Sequence, residues 1–534
     1  MKKTIILLGI IFFIGIFIRT FHLWDNISFS YDQARDAQRI REIVVNHHLK
    51  MVGPETDIPG IFNGPFYYYL LLPVYWLTNF NPNSAVLLLT FINLSGIVLV
   101  YYLGKKLSGE KTGLLAAFFW AISYEQANYS KYLSNGSLMS VVTLIFFIGC
   151  ALFFLKNEKK GLLIGAIGLG LSVQINFYLI YLIGIVFIYW AIYKPKIHIP
   201  TTITSLLLLG GLLSSFAVSE ILWKFPATKS LLIYLNQQSA SKSIMDSFSA
   251  YIQSLANSFN NNIFSFNNFI FIILFLFLSI YSYKNYSNKK NLYFLYVWLF
   301  STLPLFAFTS AVVGSPVINS SIIGAIILLF SLSLVTLMNK GGRILVILLL
   351  LLTVASNLKL YILDNFNNNK LLSYQEFIYK DKKDAVDYTY QSSNKQPFSV
   401  CALTNPLFIN TVWSDLYKTY GENKYGYIPF WSGPKQYQNI NYLPYDYNHV
   451  PLRYLIIEPL YGLRDWTLKN FIYAEDKIST IQEVKKFGGI TVQKRELEKD
   501  KNKLVDSQQV PTEEAIRIES TLKTDPRYSC FISY

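Results

Sequence analysis

The sequence predicts a polytopic α-helical membrane protein that ends in a small soluble α/β domain, and three observations carry that prediction. Charged residues make up 15% of the 534 and hydrophobic residues 52%, with a mean hydropathy of +0.32. Soluble domains average about 25% charged residues, so a chain this poor in charge lacks the polar side chains to cover its surface in water. Uncharged runs such as Ile344–Ala355 and Phe269–Ile280 recur up to residue 363, and several of the apolar stretches reach the ~17–25 residues that cross a bilayer. Beyond residue 363 charge returns and the apolar runs shorten.

Taken in order, the apolar stretches 4–18, 84–103, 112–123, 137–155, 161–173, 175–193, 202–223, 268–283, 292–309, 317–338 and 343–363 give about 11 spans. Gln174 and Asn176 in the turn Ser172–Phe177 divide 161–193 into two helices. The stretch Phe66–Phe80 is assigned to the interface instead, because Tyr67, Tyr68, Tyr69, Tyr75 and Trp76 are residues that settle at headgroup level. This choice leaves fifteen basic residues in the short loops on one side (Lys2, Lys3, Lys105, Lys106, Lys111, Lys156, Lys159, Lys160, Lys194, Lys196, Lys284, Lys289, Lys290, Lys340 and Arg343) against Glu110 and Glu158. They supply +13 of the net +15. Such asymmetry is the positive-inside signature; it places the amino terminus in the cytoplasm of a plasma-membrane protein and the carboxyl terminus outside. The positive charge is a topology signal and gives no reason to invoke nucleic acid.

Residues 1–363 therefore form a transmembrane domain whose first outer loop is 19–83, and residues 364–534 form an extracytoplasmic domain. Alternation at Tyr454–Ile457 and Gly489–Gln493 reads as strands. The segment 236–267 reads as a mobile loop or a surface helix. Six tyrosines of the tail, Tyr425, Tyr427, Tyr437, Tyr442, Tyr445 and Tyr447, suit sugar stacking or a core, with the core favoured. Cys401 and Cys530 fall in this segment, and their pairing is left open. Lys2 and Lys3 before an apolar core resemble a signal peptide, but Arg19 and bulky aromatics follow with no small-x-small cleavage site, so the first helix is read as retained.

Polar chemistry concentrates in loop 19–83. Ser30-Tyr31-Asp32-Gln33 fits a capping box, Ser30 as N-cap and Gln33 at the third helical position, and predicts a helix to about His48. Asp32 and Asp36 share one face, Arg35 and Arg39 the adjacent row. Asp32 lies in the first turn, where the helix dipole favours a carboxylate. The plain alternative is a helix-start residue beside solvated arginines. Arginine clamps phosphate oxygens and a carboxylate takes a proton from an attacking hydroxyl, so the set suits a phosphate-bearing lipid substrate at the membrane boundary.

Phe29-Ser30-Tyr31-Asp32-Gln33-Ala34-Arg35-Asp36-Ala37 and the later Asn63-Gly64-Pro65-Phe66-Tyr67-Tyr68-Tyr69-Leu70 resemble the lipid-linked sugar transferases of the GT-C fold. The group is glycosyltransferase 39, which includes protein O-mannosyltransferases and lipid A aminoarabinose transferases. The resemblance covers roughly residues 1–220 and implies that Asp32 is the catalytic carboxylate of a GT-C-like domain. It departs from the family where Gln33 replaces the more usual Glu and where Asn63-Gly64-Pro65 replaces a basic or His residue before prolines. In similar proteins the turn Ser123–Ser137 carries a basic residue that meets the donor phosphate, and Lys131 holds the matching position. Arg35 is the other candidate for that phosphate. Gln33, Asp36, Asn63, Glu125 and Glu220 complete the candidate substrate-binding set, Glu220 because acids in spans are costly and usually functional; its plain alternative is an interface residue.

The implied activity is an inverting transfer of a sugar from a polyprenyl-phosphate donor to an acceptor hydroxyl on the outer face. The acceptor class (protein, lipid or glycan) and the sugar stay open. A glycan polymerase or ligase, or a transporter or flippase of lipid-linked sugars, is the alternative; a transporter tends to show internal repeats and midplane polar sites, which the sequence lacks. No cofactor is implied. His47 and His48 with Glu55 and Asp57 make a poor metal set, since adjacent histidines on a helix point apart, and a divalent metal has no support in the sequence. A tag inserted after Lys106 or Lys289 is expected to react only from the cytoplasmic side and one after Tyr534 only from outside; outside labelling of 105–111 would make Phe66–Phe80 a span and reverse every later loop.

Overall fold

The structure is a computed structural model and describes residues 2–237, 244–264, 268–308, 316–367, 378–407, 409–436, 440–446, 449–459 and 465–498. The chain separates into two compact units, the first of Met1–Leu23, Asn46–Val74 and Ser84–Leu372, the second of Trp24–Val45, Tyr75–Asn83 and Ser373–Tyr534.

The first unit is helical. Among the described residues six helices are long and apolar enough to cross a membrane: Lys2–Thr20, Pro82–Ser108, Asn135–Leu155, Ile199–Leu222, Ser320–Asn339 and Arg343–Ile362. The other five expected stretches overlap the helices Glu110–Ile122, Lys160–Ile175, Phe177–Tyr193 and Asn268–Asn285 and the succession Lys289–Leu299, Phe300–Thr302 and Leu303–Phe308. Asn176, with an extended backbone, divides Lys160–Ile175 from the turn that opens Phe177–Tyr193. Burial sorts the long helices: Asn135–Leu155 and Ser320–Asn339 are 89% and 94% enclosed, Ile199–Leu222 only 11%. Exposed Leu206, Leu207, Ile344 and Phe13 are what lipid replaces water around. Helices Met139–Cys150 and Lys160–Ile175 meet through glycine: a Cβ on Gly149 would lie 2.2 Å from Gly165 N, and one on Gly168 2.3 Å from Phe146 N. Close backbone approach between small residues replaces the hydrophobic effect as the force joining helices in lipid.

Phe66–Leu77 is a helix of 12 residues with Pro73 inside it, about 18 Å long at 1.5 Å per residue and short of a ~30 Å hydrocarbon core. The polar segment after Trp223 is two helices, Pro226–Gln237 and Ile244–Asn262. The second buries one face, with Tyr251, Ala256, Phe259 and Asn262, and leaves Met245 and Phe248 exposed.

The second unit carries a five-stranded sheet of β1 (Phe398–Leu403), β2 (Phe430–Trp431), β3 (Leu452–Ile457), β4 (Ser479–Phe487) and β5 (Ile490–Leu497), ordered β2-β1-β3-β5-β4. β1 lies parallel to β2 and β3, while β5 runs antiparallel to both β3 and β4. The expected strands Tyr454–Ile457 and Gly489–Gln493 fall at β3 and β5; β1, which was not expected, and β3 are buried along nearly their whole length, and Cys401, Leu403, Leu455, Phe471 and Ile478 form one core. Tyr425 stacks on Tyr390 at 4.3 Å, and Tyr427 meets the same ring edge-on at 5.0 Å, so these two tyrosines serve packing. Tyr437, Tyr447 and Cys530 lie outside the described residues. The helix Tyr31–Asn46 belongs to this unit: Tyr379 N–H donates to Ile27 O at 2.9 Å, and Gln38 Nε2 donates to Thr411 O at 3.3 Å.

Lys382 and Glu458, both buried, form an ion pair where β1 and β3 end, and Glu458 also accepts from Asn405 N–H at 3.1 Å. Removing one partner of a buried pair strands the other charge and costs ~3–5 kcal/mol. Glu458→Ala is expected to make this unit the first part of the full chain to yield to protease on heating; wild-type resistance would show the pair to be dispensable.

Candidate functional site

The helix Tyr31–Asn46 begins as the sequence requires. Gln33 Oε1 accepts from Ser30 N–H at 2.8 Å and from Ser30 Oγ at 2.6 Å, so the third helical residue reaches back to the cap as in a capping box. Asp32 projects from the first turn with its side chain 62% exposed. Arg35 lies between two carboxylates: Nη1 reaches Asp32 Oδ1 at 2.8 Å, and Nη2 and Nε reach Asp36 Oδ1 at 2.9 and 3.1 Å. Asp36 is buried. Arg39 pairs with Glu42 at 3.2 Å, so the partner of Asp36 on this helix is Arg35. A guanidinium that is bonded to two carboxylates orients the exposed one, and that role competes with the phosphate contact expected of Arg35.

The remaining candidates lie in the first unit, and each has a defined partner. Asn63 Oδ1 accepts from Phe177 N–H at 2.9 Å, Gly64 N–H donates to Gln174 O at 2.9 Å, and Phe66 N–H donates to Gln174 Oε1 at 3.3 Å. Asn63-Gly64-Pro65 thus stitches the first loop onto the polar turn after Ile175. A Cβ on Gly64 would stand 2.0 Å from Gln174 Oε1, which explains glycine there. Glu220 accepts from Ala227 N–H at 2.9 Å and from Thr228 N–H and Oγ1 at 3.1 and 2.6 Å. It caps the helix Pro226–Gln237. Lys131 is partly exposed at the end of the helix Tyr124–Lys131, and its Nζ donates to Phe21 O at 3.1 Å.

Glu125 is buried, and Asn262 Nδ2 donates to its Oε2 at 2.7 Å. It is one member of a polar knot where the helix Glu110–Ile122 breaks. Ser123 Oγ donates to Asn262 Oδ1 at 2.6 Å and accepts from Gln126 N–H at 3.0 Å. Tyr124 N–H donates to Asn357 Oδ1 at 2.9 Å, and Tyr361 Oη donates to Ser123 O at 2.9 Å. Arg19, wholly buried, donates to Trp120 O at 3.0 Å, Ala121 O at 2.9 Å and Asn93 Oδ1 at 2.8 Å; Asn93 passes a bond to Gln126 Oε1 at 3.1 Å. Sequence reasoning passed over Arg19, Asn93, Asn262 and Asn357. The signal was present, since Asn93 stands inside an apolar span and Arg19 closes another. Among the described residues no group of three or more His, Cys, Asp or Glu side chains is placed to hold a metal.

No protein-family model matches this chain, and no curated protein matches its sequence. Solved structures do. ArnT from Cupriavidus metallidurans, bound to undecaprenyl phosphate, superposes with a TM-score of 0.55 at 10% identity, covering 91% of this chain and 97% of that one. Its apo state gives 0.55 at 11% identity over the same shares. The chain has a GT-C fold. The apo oligosaccharyltransferase of Archaeoglobus fulgidus matches at 13% identity and a TM-score of 0.47, and this chain spans 64% of its length.

Burial raises the Glu125 carboxyl from 4.5 to about 8, against the lowering effect of the Asn262 hydrogen bond. The folded chain then keeps a proton that the unfolded chain gives up, so stability falls as pH rises from about 4.5 to about 8 and levels off above. Glu125→Gln, always neutral, is expected to flatten the thermal-unfolding midpoint over that window. Parallel pH profiles for the two proteins would mean that Glu125 is ionised in its niche.

Proposed function

We infer that this chain is an integral-membrane glycosyltransferase that moves a sugar from a polyprenyl-phosphate donor to an acceptor hydroxyl outside the plasma membrane, with inversion. The observation that carries the reading is Asp32: an exposed carboxylate in the first turn of a helix, oriented by Arg35, in a chain with the fold of ArnT, which has been solved bound to undecaprenyl phosphate.

The chemistry follows from the donor. The acceptor hydroxyl attacks the anomeric carbon, its proton passes to the Asp32 carboxylate, and the carbon–oxygen bond to the lipid phosphate breaks, the electron pair leaving with the phosphate. One displacement inverts the carbon and needs a single carboxylate, with no covalent enzyme intermediate. The leaving phosphate is a weak base, so a cation suffices in place of a general acid. Lys131 is the proposed phosphate contact, and Arg35 is proposed to aim the Asp32 side chain.

Positioned proton transfer contributes ~10²–10⁴-fold. Asp32→Asn in the purified full chain is therefore expected to lower turnover by about that factor while the affinity for undecaprenyl phosphate stays near wild type. Near wild-type transfer by Asp32→Asn would leave Asp32 as a helix-start residue only.

A further inference from the structure

Helix Met139–Cys150 with its π-turn Ala151–Leu155, and helices Lys160–Ile175, Leu182–Tyr193 and Ile199–Leu222, line a cavity of about 400 Å³. Its origin lies in the glycines. Gly149, Gly161 and Gly165 bring two of the helices into backbone contact and offer no side chain to the space beside them. Phe153, Phe154, Val186, Trp190 and Leu209 are among its walls. The hydroxyls that reach it are already used within their own helix, Thr202 Oγ1 on His198 O at 3.1 Å and Ser205 Oγ on Thr201 O at 2.8 Å. A small polar ligand would find nothing there to orient it. Phe187 and Leu206, also in the lining, are 68% and 62% exposed, so the cavity opens on the surface of apolar helices.

Cations stand close in the chain to the lining residues at one end of this cavity. Lys156 follows the π-turn, Lys159 and Lys160 precede Gly161, and Lys194 and Lys196 stand between the lining residues Trp190 and Ile197. Lys160 is paired with Glu158 at 2.9 Å. Lys156, Lys159, Lys194 and Lys196 are exposed and form no ion pair among the described residues. An apolar slot open to the bilayer core and unneutralised ammonium groups at its polar end match the two halves of one molecule.

We propose that the cavity binds an anionic glycerophospholipid of the leaflet on the lysine-bearing side, one acyl chain in the slot and the phosphate among Lys156, Lys159, Lys194 and Lys196. The acyl chain fills volume that no side chain occupies, and the headgroup gains the attraction that lysines exert near an anionic surface. This site is independent of Asp32 and of the transfer reaction.

The test uses the full chain in nanodiscs of phosphatidylcholine and phosphatidylglycerol in equal parts, followed by native mass spectrometry of the lipid retained in detergent. The wild type is expected to retain phosphatidylglycerol in preference to phosphatidylcholine. Lys194→Gln with Lys196→Gln, both at exposed positions that leave the packing intact, is expected to reduce that preference roughly five-fold per lysine. Ala166→Phe, which puts a ring into the slot, is expected to abolish retention of either lipid. Equal retention of the two lipids by the wild type would overturn the proposal. So would a preference that survives the lysine substitutions, or displacement of the bound lipid by added undecaprenyl phosphate, which would assign the slot to the donor.

Discussion

Arg19 closes the first helix with a guanidinium wholly inside the protein, hydrogen-bonded to Asn93 and to the carbonyls of Trp120 and Ala121. In an apolar surrounding a helix end has no water to satisfy its last carbonyls, and a buried cation has none to solvate it; each removes the other's penalty. The carbonyl end of a helix dipole also favours a cation. The arrangement fixes three helices at one point, because Arg19, Asn93 and Trp120 come from Lys2–Thr20, Pro82–Ser108 and Glu110–Ile122. From there Gln126, Ser123, Asn262, Asn357 and Tyr361 carry the hydrogen bonds to the helices Ile244–Asn262 and Arg343–Asn367.

That knot explains why the chain breaks at Ser123 instead of running on as a longer helix. Ser123 caps the short helix Tyr124–Lys131, and Glu125, whose carboxyl burial pushes up to about 8, lies in its first turn and accepts a hydrogen bond from Asn262. Hydrogen bonds within a buried polar network restrict the orientation of each amide in it; among the described residues, Gln126 Nε2 is the buried atom of this knot that has no hydrogen-bond partner. Lys131, at the far end of the same short helix, inherits its position from this network.

The helix that carries Asp32 is fixed by different forces. Its apolar stripe, Ala34, Ala37, Ile40 and Ile43, is buried, and backbone bonds tie the approach to it, Ile27, to Tyr379. With one face occupied by packing, Asp32 is left on the exposed side and Asp36 on the buried side. Arg35 joins them. Two carboxylates four residues apart on one helix therefore acquire different surroundings, one exposed and the other buried against the arginine.

Much of this was legible in the residues. Composition alone excludes a water-soluble chain, the capping box at Ser30 and Gln33 predicts where the Asp32 helix starts, and the strand that follows Gly489 shows the alternation expected of it, since these are local signals with local physical causes. The sequence pattern around Asp32 also pointed to the GT-C fold that the superposition on ArnT shares. Tertiary structure decided what depends on residues far apart in the chain. It gave Arg35 two carboxylate partners and made Glu220 a cap for the helix beginning at Pro226. It turned Asn63 into a tether for the turn at Phe177 and folded a segment from the first loop into the unit that holds the sheet. Sequence spacing reports which residues share a helix face, but a buried hydrogen bond is chosen by whichever distant group the fold brings within 3 Å, and that choice is made only when the helices pack.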